Sequence, residues 1–189
     1  MMEEYKLFLK KTPKDGKFQR VHAVLVVQDG RILLRYKNGE ARITGGRIDA
    51  SDEDLEAALR REVLEEINCE IDKIEYLGYL EVEMKKYYDE IGLDCEIVRE
   101  KENWARMVAR VSKILPPKAD PDREGNWVYG RALAPREIAT EELAKAPKFG
   151  NNNIKILNAA YEVAREKEYF TELPNEEYEV LNVESRDEE

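Results

Sequence analysis

Histidine occurs once in this chain and cysteine twice. Cys69 and Cys95 make neither a disulfide framework nor a zinc quartet. The lone His22 lies in an apolar strand, where a satisfied structural role is the expectation, and it is left out of the candidate site. No run of about eighteen apolar residues exists, so no segment reads as a membrane-spanning helix. The N-terminus, Met1-Met2-Glu3-Glu4-Tyr5-Lys6, lacks the pattern of a signal peptide. Positive charge is in deficit: 31 Lys and Arg against 41 Asp and Glu give a formal charge of −10. That disfavours non-specific binding to nucleic-acid backbone and to anionic membrane. A nucleotide is still permitted, since a bound cation and a few local basic groups can meet it. Cytoplasmic residence is the resulting expectation. No internal repeat is present, and 189 residues are one domain's worth. The expected division is one domain over residues 1–170 and an acidic, partly disordered tail over 171–189.

The chain is organised around residues 45–69. A Gly45-Gly46 turn follows a short strand and leads into a helix. Ser51, with Asp54 three residues later, reads as an N-cap and capping box, and Asp52, Glu53 and Asp54 suit the positive end of the helix dipole. Leu55, Leu59, Val63 and Ile67 recur every four residues and form one apolar stripe. Glu62, Glu65 and Glu66 stand at i, i+3 and i+4, so their carboxylates share an adjacent face. Anions that close repel one another, and a hard divalent cation with oxygen ligands neutralises them best. Glutamate-rich helix faces are often merely solvated, and the surroundings decide between the two readings.

Those surroundings resemble the Nudix hydrolases. The family signature is Gly, five residues, Glu, seven residues, Arg-Glu, an apolar residue, any residue, Glu-Glu, any residue, Gly and an apolar residue. Glu53 fits, with seven residues between it and Arg61; Glu62, Val63, Glu65, Glu66 and Cys69 fit as well. Six residues, not five, separate Gly46 from Glu53. The extra one is placed in the loop 47–52, because an insertion inside the helix would rotate its faces. The alternative alignment through Asp52 breaks the helical spacing and is the weaker. Asn68 stands where the family has glycine, a position suited to left-handed backbone, for which Asn is the next best residue.

The resemblance implies an α/β/α sandwich with a mixed β-sheet and a hydrolase acting on phosphoric anhydride bonds with Mg²⁺ or Mn²⁺. It implies that Glu62, Glu65 and Glu66 hold the cations, with the carbonyl of Gly45 or Gly46 as a further ligand. Arg61 would orient a motif glutamate, for which Glu53 is the candidate. One more acid is commonly drawn from the loop before a tryptophan strand; Asp120, Asp122 and Glu124 are available, and Glu124 is the first choice. The implied substrate is a small-molecule nucleoside diphosphate derivative, cleaved by water attack at phosphorus. Dimers are frequent in the family, so a homodimer belongs to the same expectation. Two other classes stay open: a Nudix-fold nucleotide or metabolite sensor of weak activity, and an interaction protein that uses its acidic surface.

The rest of the chain supplies a frame. Residues 5–10 and 18–28 read as strands, the second apolar on both faces and hence central. Asp29-Gly30 signals a hairpin, and Ile32–Tyr36 returns, before a short strand at 41–44. Arg35 and Arg42 lie on strands feeding the motif and either hold phosphates or balance a carboxylate-rich surface. Strands follow at 74–84 and 104–111, with 85–103 read as an irregular charged insertion between them. Trp127-Val128-Tyr129 and a helix begun by Pro135 follow. Asn151, Asn152 and Asn153 read as caps of a last helix that packs through Ile154, Leu157, Tyr161 and Ala164.

Overall fold

The computed structural model describes residues 3–37, 39–90, 93–116, 129–146 and 149–171. The strands are β1 (Glu3–Leu9), β2 (Arg20–Val26), β3 (Ile32–Lys37), β4 (Glu40–Arg42) and β5 (Thr44–Arg47). Helix α1 (Leu55–Ile67) follows, then β6 (Cys69–Glu90), β7 (Leu93–Ile114), β8 (Tyr129–Ala134), α2 (Arg136–Ala144) and α3 (Gly150–Glu166). The sheet runs β1-β6-β7-β2-β3-β4, with β5 on β2 and β8 on β3. Among the described residues only β2 and β7 pair in parallel, from Arg20 opposite Trp104 to Val26 opposite Arg110. The sheet is therefore mixed, as the resemblance implies.

Both faces of the central strands are covered, which is why β2 is apolar at nearly every position. Val21, Ala23 and Leu25 pack with Leu59, Val63 and Ile67 of α1. Val24 and Val26 pack on the opposite face with Leu143 of α2 and Ile156 and Leu157 of α3. This is the α/β/α sandwich. Among the described residues no helix is long and apolar enough to cross a membrane.

The sheet forks at its centre. β2 meets β3 only at Leu25–Leu33 and Val26–Ile32, and its earlier residues Arg20–Ala23 turn to β5. β3 continues with β4 and β8 instead. The gap between the prongs is where the candidate site opens.

Several local expectations are corrected. Asp54, not Ser51, caps α1: its backbone is extended and its carboxylate accepts the Ala57 N–H at 2.8 Å. Residues 85–90 and 93–103 are strand, not an irregular insertion. β6 and β7 stay paired from Lys85–Arg99 to Tyr88–Glu96, because a backbone ladder needs only the partner strand and no apolar alternation. Pro135 is the N-cap of α2 rather than its first helical residue. Asn151–Asn153 lie within the first turn of α3, after the N-cap Phe149, and its buried face carries Asn153 and Ile156 in place of Ile154. Residues 127 and 128, and the tail after 171, lie outside the described residues.

Candidate active site

The end of α1 fixes the register of the motif. Asn68 takes left-handed backbone, φ 50° and ψ 56°, which Asn tolerates better than most residues. Its amide donates to Pro116 O. Arg131 reaches the same terminus, Nη1 to Ile67 O at 2.6 Å and Nη2 to Leu115 O at 2.6 Å, so a cation meets the negative end of the helix. With α1 ended here, its glutamate face turns to the fork in the sheet.

The glycine turn is shaped by what it approaches. Gly45 has φ +141°, and a Cβ there would lie 2.1 Å from Val21 O; only glycine fits. A Cβ on Gly46 would lie 2.3 Å from Glu62 Oε2. The Glu62 carboxylate thus occupies the space that a side chain at 46 would fill. Glu66 binds the same turn, its Oε2 accepting Gly45 N–H at 3.0 Å while Arg35 donates to its Oε1.

Arg61 gathers the acids on the outer side. It donates to Asp52 through Nε at 3.0 Å and Nη2 at 2.8 Å, to Arg47 O at 2.9 Å, to Glu62 Oε1 at 3.0 Å and to Glu65 Oε2 at 3.2 Å. A two-pronged guanidinium–carboxylate pair is the strong form of such a contact. The hydrogen bond from Arg61 holds the Asp52 carboxyl below its usual range, and the same bond raises Arg61. Burial pushes the Glu62 carboxyl above its usual range; Arg61 opposes this, and Glu65 and Asp49 add to it.

The expected pairing of Arg61 with Glu53 is thereby corrected. Glu53 is exposed, and Asp52 holds the arginine. Helical spacing does not count against Asp52, because α1 starts only at Leu55 and 52 and 53 both precede it. Asp52 also accepts Asp49 N–H at 2.7 Å, which closes the extra residue into a tight turn.

A cavity of about 600 Å³ opens over this turn. Gly46, Glu66, Arg35 and Arg42 from the sequence reading all line it. So do Arg20, His22, Trp104 and Arg106, which the sequence reading did not place there. His22 stacks on Trp104 with ring centroids 5.5 Å apart. Among the described residues its buried Nδ1 has no partner, so it does not stand as a satisfied structural histidine. Burial first, then Arg106, Arg20 and Arg35, keep it well below its ordinary pKa and neutral at pH 7.

The NUDIX domain model matches residues 15–149. The chain belongs to the Nudix family. The solved pyrophosphohydrolase BsRppH of Bacillus subtilis is similar at a TM-score of 0.58 and 18% identity, over 87% of this chain and 98% of that one. An ADP compounds hydrolase gives 0.49 and 19%, over 78% and 73%. A NUDIX hydrolase from Nitrosomonas europaea gives 0.47 and 20%, over 77% and 91%. At such identities the likeness is one of fold. No curated protein sequence matches this chain.

Nudix proteins generally use divalent metals. Glu62 and Glu66 offer hard oxygen donors of the kind such a metal takes, with side chains 11% exposed, set against a turn that has no Cβ at 45 or 46. Glu65 is 55% exposed and rests on Arg61. Among the described residues no three acids converge into a ready-made cage; arginines answer each motif glutamate instead. Glu124, Asp120 and Asp122 lie outside the described residues.

Proposed function

We propose that this protein is a Mg²⁺- or Mn²⁺-dependent pyrophosphohydrolase that cleaves a nucleoside diphosphate linked to another moiety. The observation that carries the reading is the cavity itself. In a chain of net charge −10 it is lined by Arg20, Arg35, Arg42 and Arg106, with Glu66 and the Gly45-Gly46 turn beside them. Such a pocket selects a polyanion and brings it to the motif carboxylates.

Glu62, Glu65 and Glu66, with the Gly46 carbonyl, would hold the cation. Its contribution is to neutralise the non-bridging oxygens of the diphosphate and ease deprotonation of the attacking water. The chain's own residues do the rest. Arg35 and Arg42 hold phosphate oxygens. Arg61 keeps Glu62 and Glu65 oriented, and Asp52 keeps Arg61 in place. Glu65, the most exposed of the three, would take a proton from water.

A screen of diphosphate compounds for phosphate release, with Mg²⁺, Mn²⁺ and Ca²⁺ in turn, tests this. Turnover is expected with Mg²⁺ or Mn²⁺ and little with Ca²⁺, whose longer, looser coordination positions water poorly. Glu66→Gln should fold and lose about a hundredfold in kcat/KM. Full activity in Glu65→Gln and Glu66→Gln alike removes the carboxylate assignment. A sensor that binds nucleotide without hydrolysis is the second reading, favoured by the arginines that answer all three glutamates; binding without turnover in the same screen would establish it.

A further inference from the structure

We propose that Arg106 binds a phosphate group that the substrate carries beyond the two phosphorus atoms of the cleaved linkage. This deepens the pyrophosphohydrolase reading and rests on it for the nature of the substrate, whereas the anion site stands on Arg106 alone.

Arg106 lies on β7, lines the cavity and is 3% exposed. Among the described residues its buried Nε has no hydrogen-bond partner, as is true of the Nε of Arg20 and Arg42; what sets Arg106 apart is that it makes no ion pair with any described residue. The other cavity arginines are answered: Arg20 by Glu102 at 3.5 Å, Arg42 by Glu40 at 2.8 Å and Arg35 by Glu66. The Arg106 guanidinium lies over the ring of Trp104, 5.7 Å away, and a ring face recovers only part of the cost of desolvating a cation. Burial pushes it down to about 9, so it stays cationic at neutral pH. A buried guanidinium left without an acid among the described residues is held for something that arrives. His22, opposite Arg106 in the parallel register, adds a further buried polar atom, Nδ1, without a partner among the described residues, on the same cavity. Fixed N–H donors on a guanidinium match phosphate oxygens. Since Arg35 already sits on Glu66 at the motif, Arg106 is left for a further phosphate, either the next in a polyphosphate chain or a separate phosphomonoester.

Isothermal titration of the full chain in EDTA, with inorganic tripolyphosphate as probe, tests the site without turnover. Arg106→Met should weaken binding at least tenfold, Arg106→Lys by less, and Arg110→Met, on the same strand but paired with Asp72, not at all. The melting temperature of Arg106→Met should match or exceed the parent's, because an unpaired buried charge has been removed. Unchanged tripolyphosphate affinity, or a melt lowered by more than a few degrees, overturns the proposal. A nucleoside 5′-triphosphate and a nucleoside 3′-phosphate 5′-diphosphate then separate the two sources. The compound whose affinity falls in Arg106→Met identifies the phosphate bound, and no fall in either overturns the proposal. Loss of the hydrolase reading through Glu65→Gln and Glu66→Gln would leave these titrations standing.

Discussion

Gly45 and Gly46 are neighbours, yet their replacement by alanine should fail in different ways. At Gly45 the added Cβ meets backbone, 2.1 Å from Val21 O and 2.6 Å from His22 Cα, at φ +141°. Neither β2 nor its partner β5 can retreat without breaking their pairing. Strain at such a φ and overpacking each cost about 1–3 kcal/mol, so Gly45→Ala should lose about 4 kcal/mol. That corresponds to a melting temperature lower by roughly 10 °C for a chain of this size. At Gly46 the added Cβ meets only the Glu62 carboxylate, with Oε2 at 2.3 Å and Cδ and Oε1 at 2.5 Å. A side-chain end can swing away, at the expense of its 3.0 Å bond from Arg61. The loss there should be about 1–2 kcal/mol, while activity falls about a hundredfold because a charged group leaves the reacting end of the site. Thermal melts of four proteins check this: parent, Gly46→Ala, Glu62→Ala and the double variant. In the Glu62→Ala background the alanine at 46 should cost nothing and can add up to about 1 kcal/mol through the unfolded chain. The same background should not rescue Gly45→Ala. If Gly46→Ala costs as much with Glu62 absent as with it present, Glu62 does not fill the space above the turn.

Asp52→Asn should lower kcat/KM by about 10–100-fold, the usual effect of losing a group that orients a ligand, whereas Glu53→Gln should leave it within about twofold; the reverse order restores Glu53 as the partner of Arg61. The Asp72 carboxyl is held at about 2 by its pair with Arg110, against an ordinary 3.8. Its folded pKa is depressed, so its stabilisation is present above about pH 4 and is lost as pH falls towards 2. With 39% of the side chain exposed the effect should stay below about 1 kcal/mol, and Asp72→Asn should flatten the melting temperature in that window alone. Asn68→Gly should lose about 1 kcal/mol with its bond to Pro116 O, and Asn68→Val about 3 kcal/mol because a β-branched residue is added at positive φ; a valine variant that melts with the parent would mean that α1 ends differently.

What was legible in the sequence was set by local spacing. The stripe Leu55, Leu59, Val63, Ile67 defined the buried face of α1, and Asn68 marked its end. β2 declared its central place by being apolar on both sides. The long β6–β7 ladder was hidden because its outer part carries charged residues, and apolar alternation reports burial rather than pairing. The caps went astray for a related reason. Ser51, Asp52 and Asp54 are all competent cap residues, and the choice of Asp54 depends on Asp52 being drawn away by Arg61, nine positions along the chain.

The cavity was legible only in part, because its charges come from separate strands. Arg20 is on β2, Arg35 on β3, Arg42 on β4 and Arg106 on β7, and no spacing rule joins them. A net charge of −10 describes the whole surface and conceals a local cationic pocket. A signal existed nonetheless. Along β7, Arg106 stands at the same parity as buried Val108, and along β2, His22 shares its parity with buried Val24 and Val26. A polar group placed where its strand is otherwise buried must be answered or used. For His22 the commoner outcome is a satisfied core residue. The fork in the sheet decides otherwise, since β2 leaves β3 after Leu25–Leu33 and opens the face on which His22 and Arg106 stand. The fork itself is written in the Gly45-Gly46 turn, which lets β5 rather than β3 pair with the first half of β2. The same two glycines therefore admit the Glu62 carboxylate to the turn and create the gap that holds the arginines.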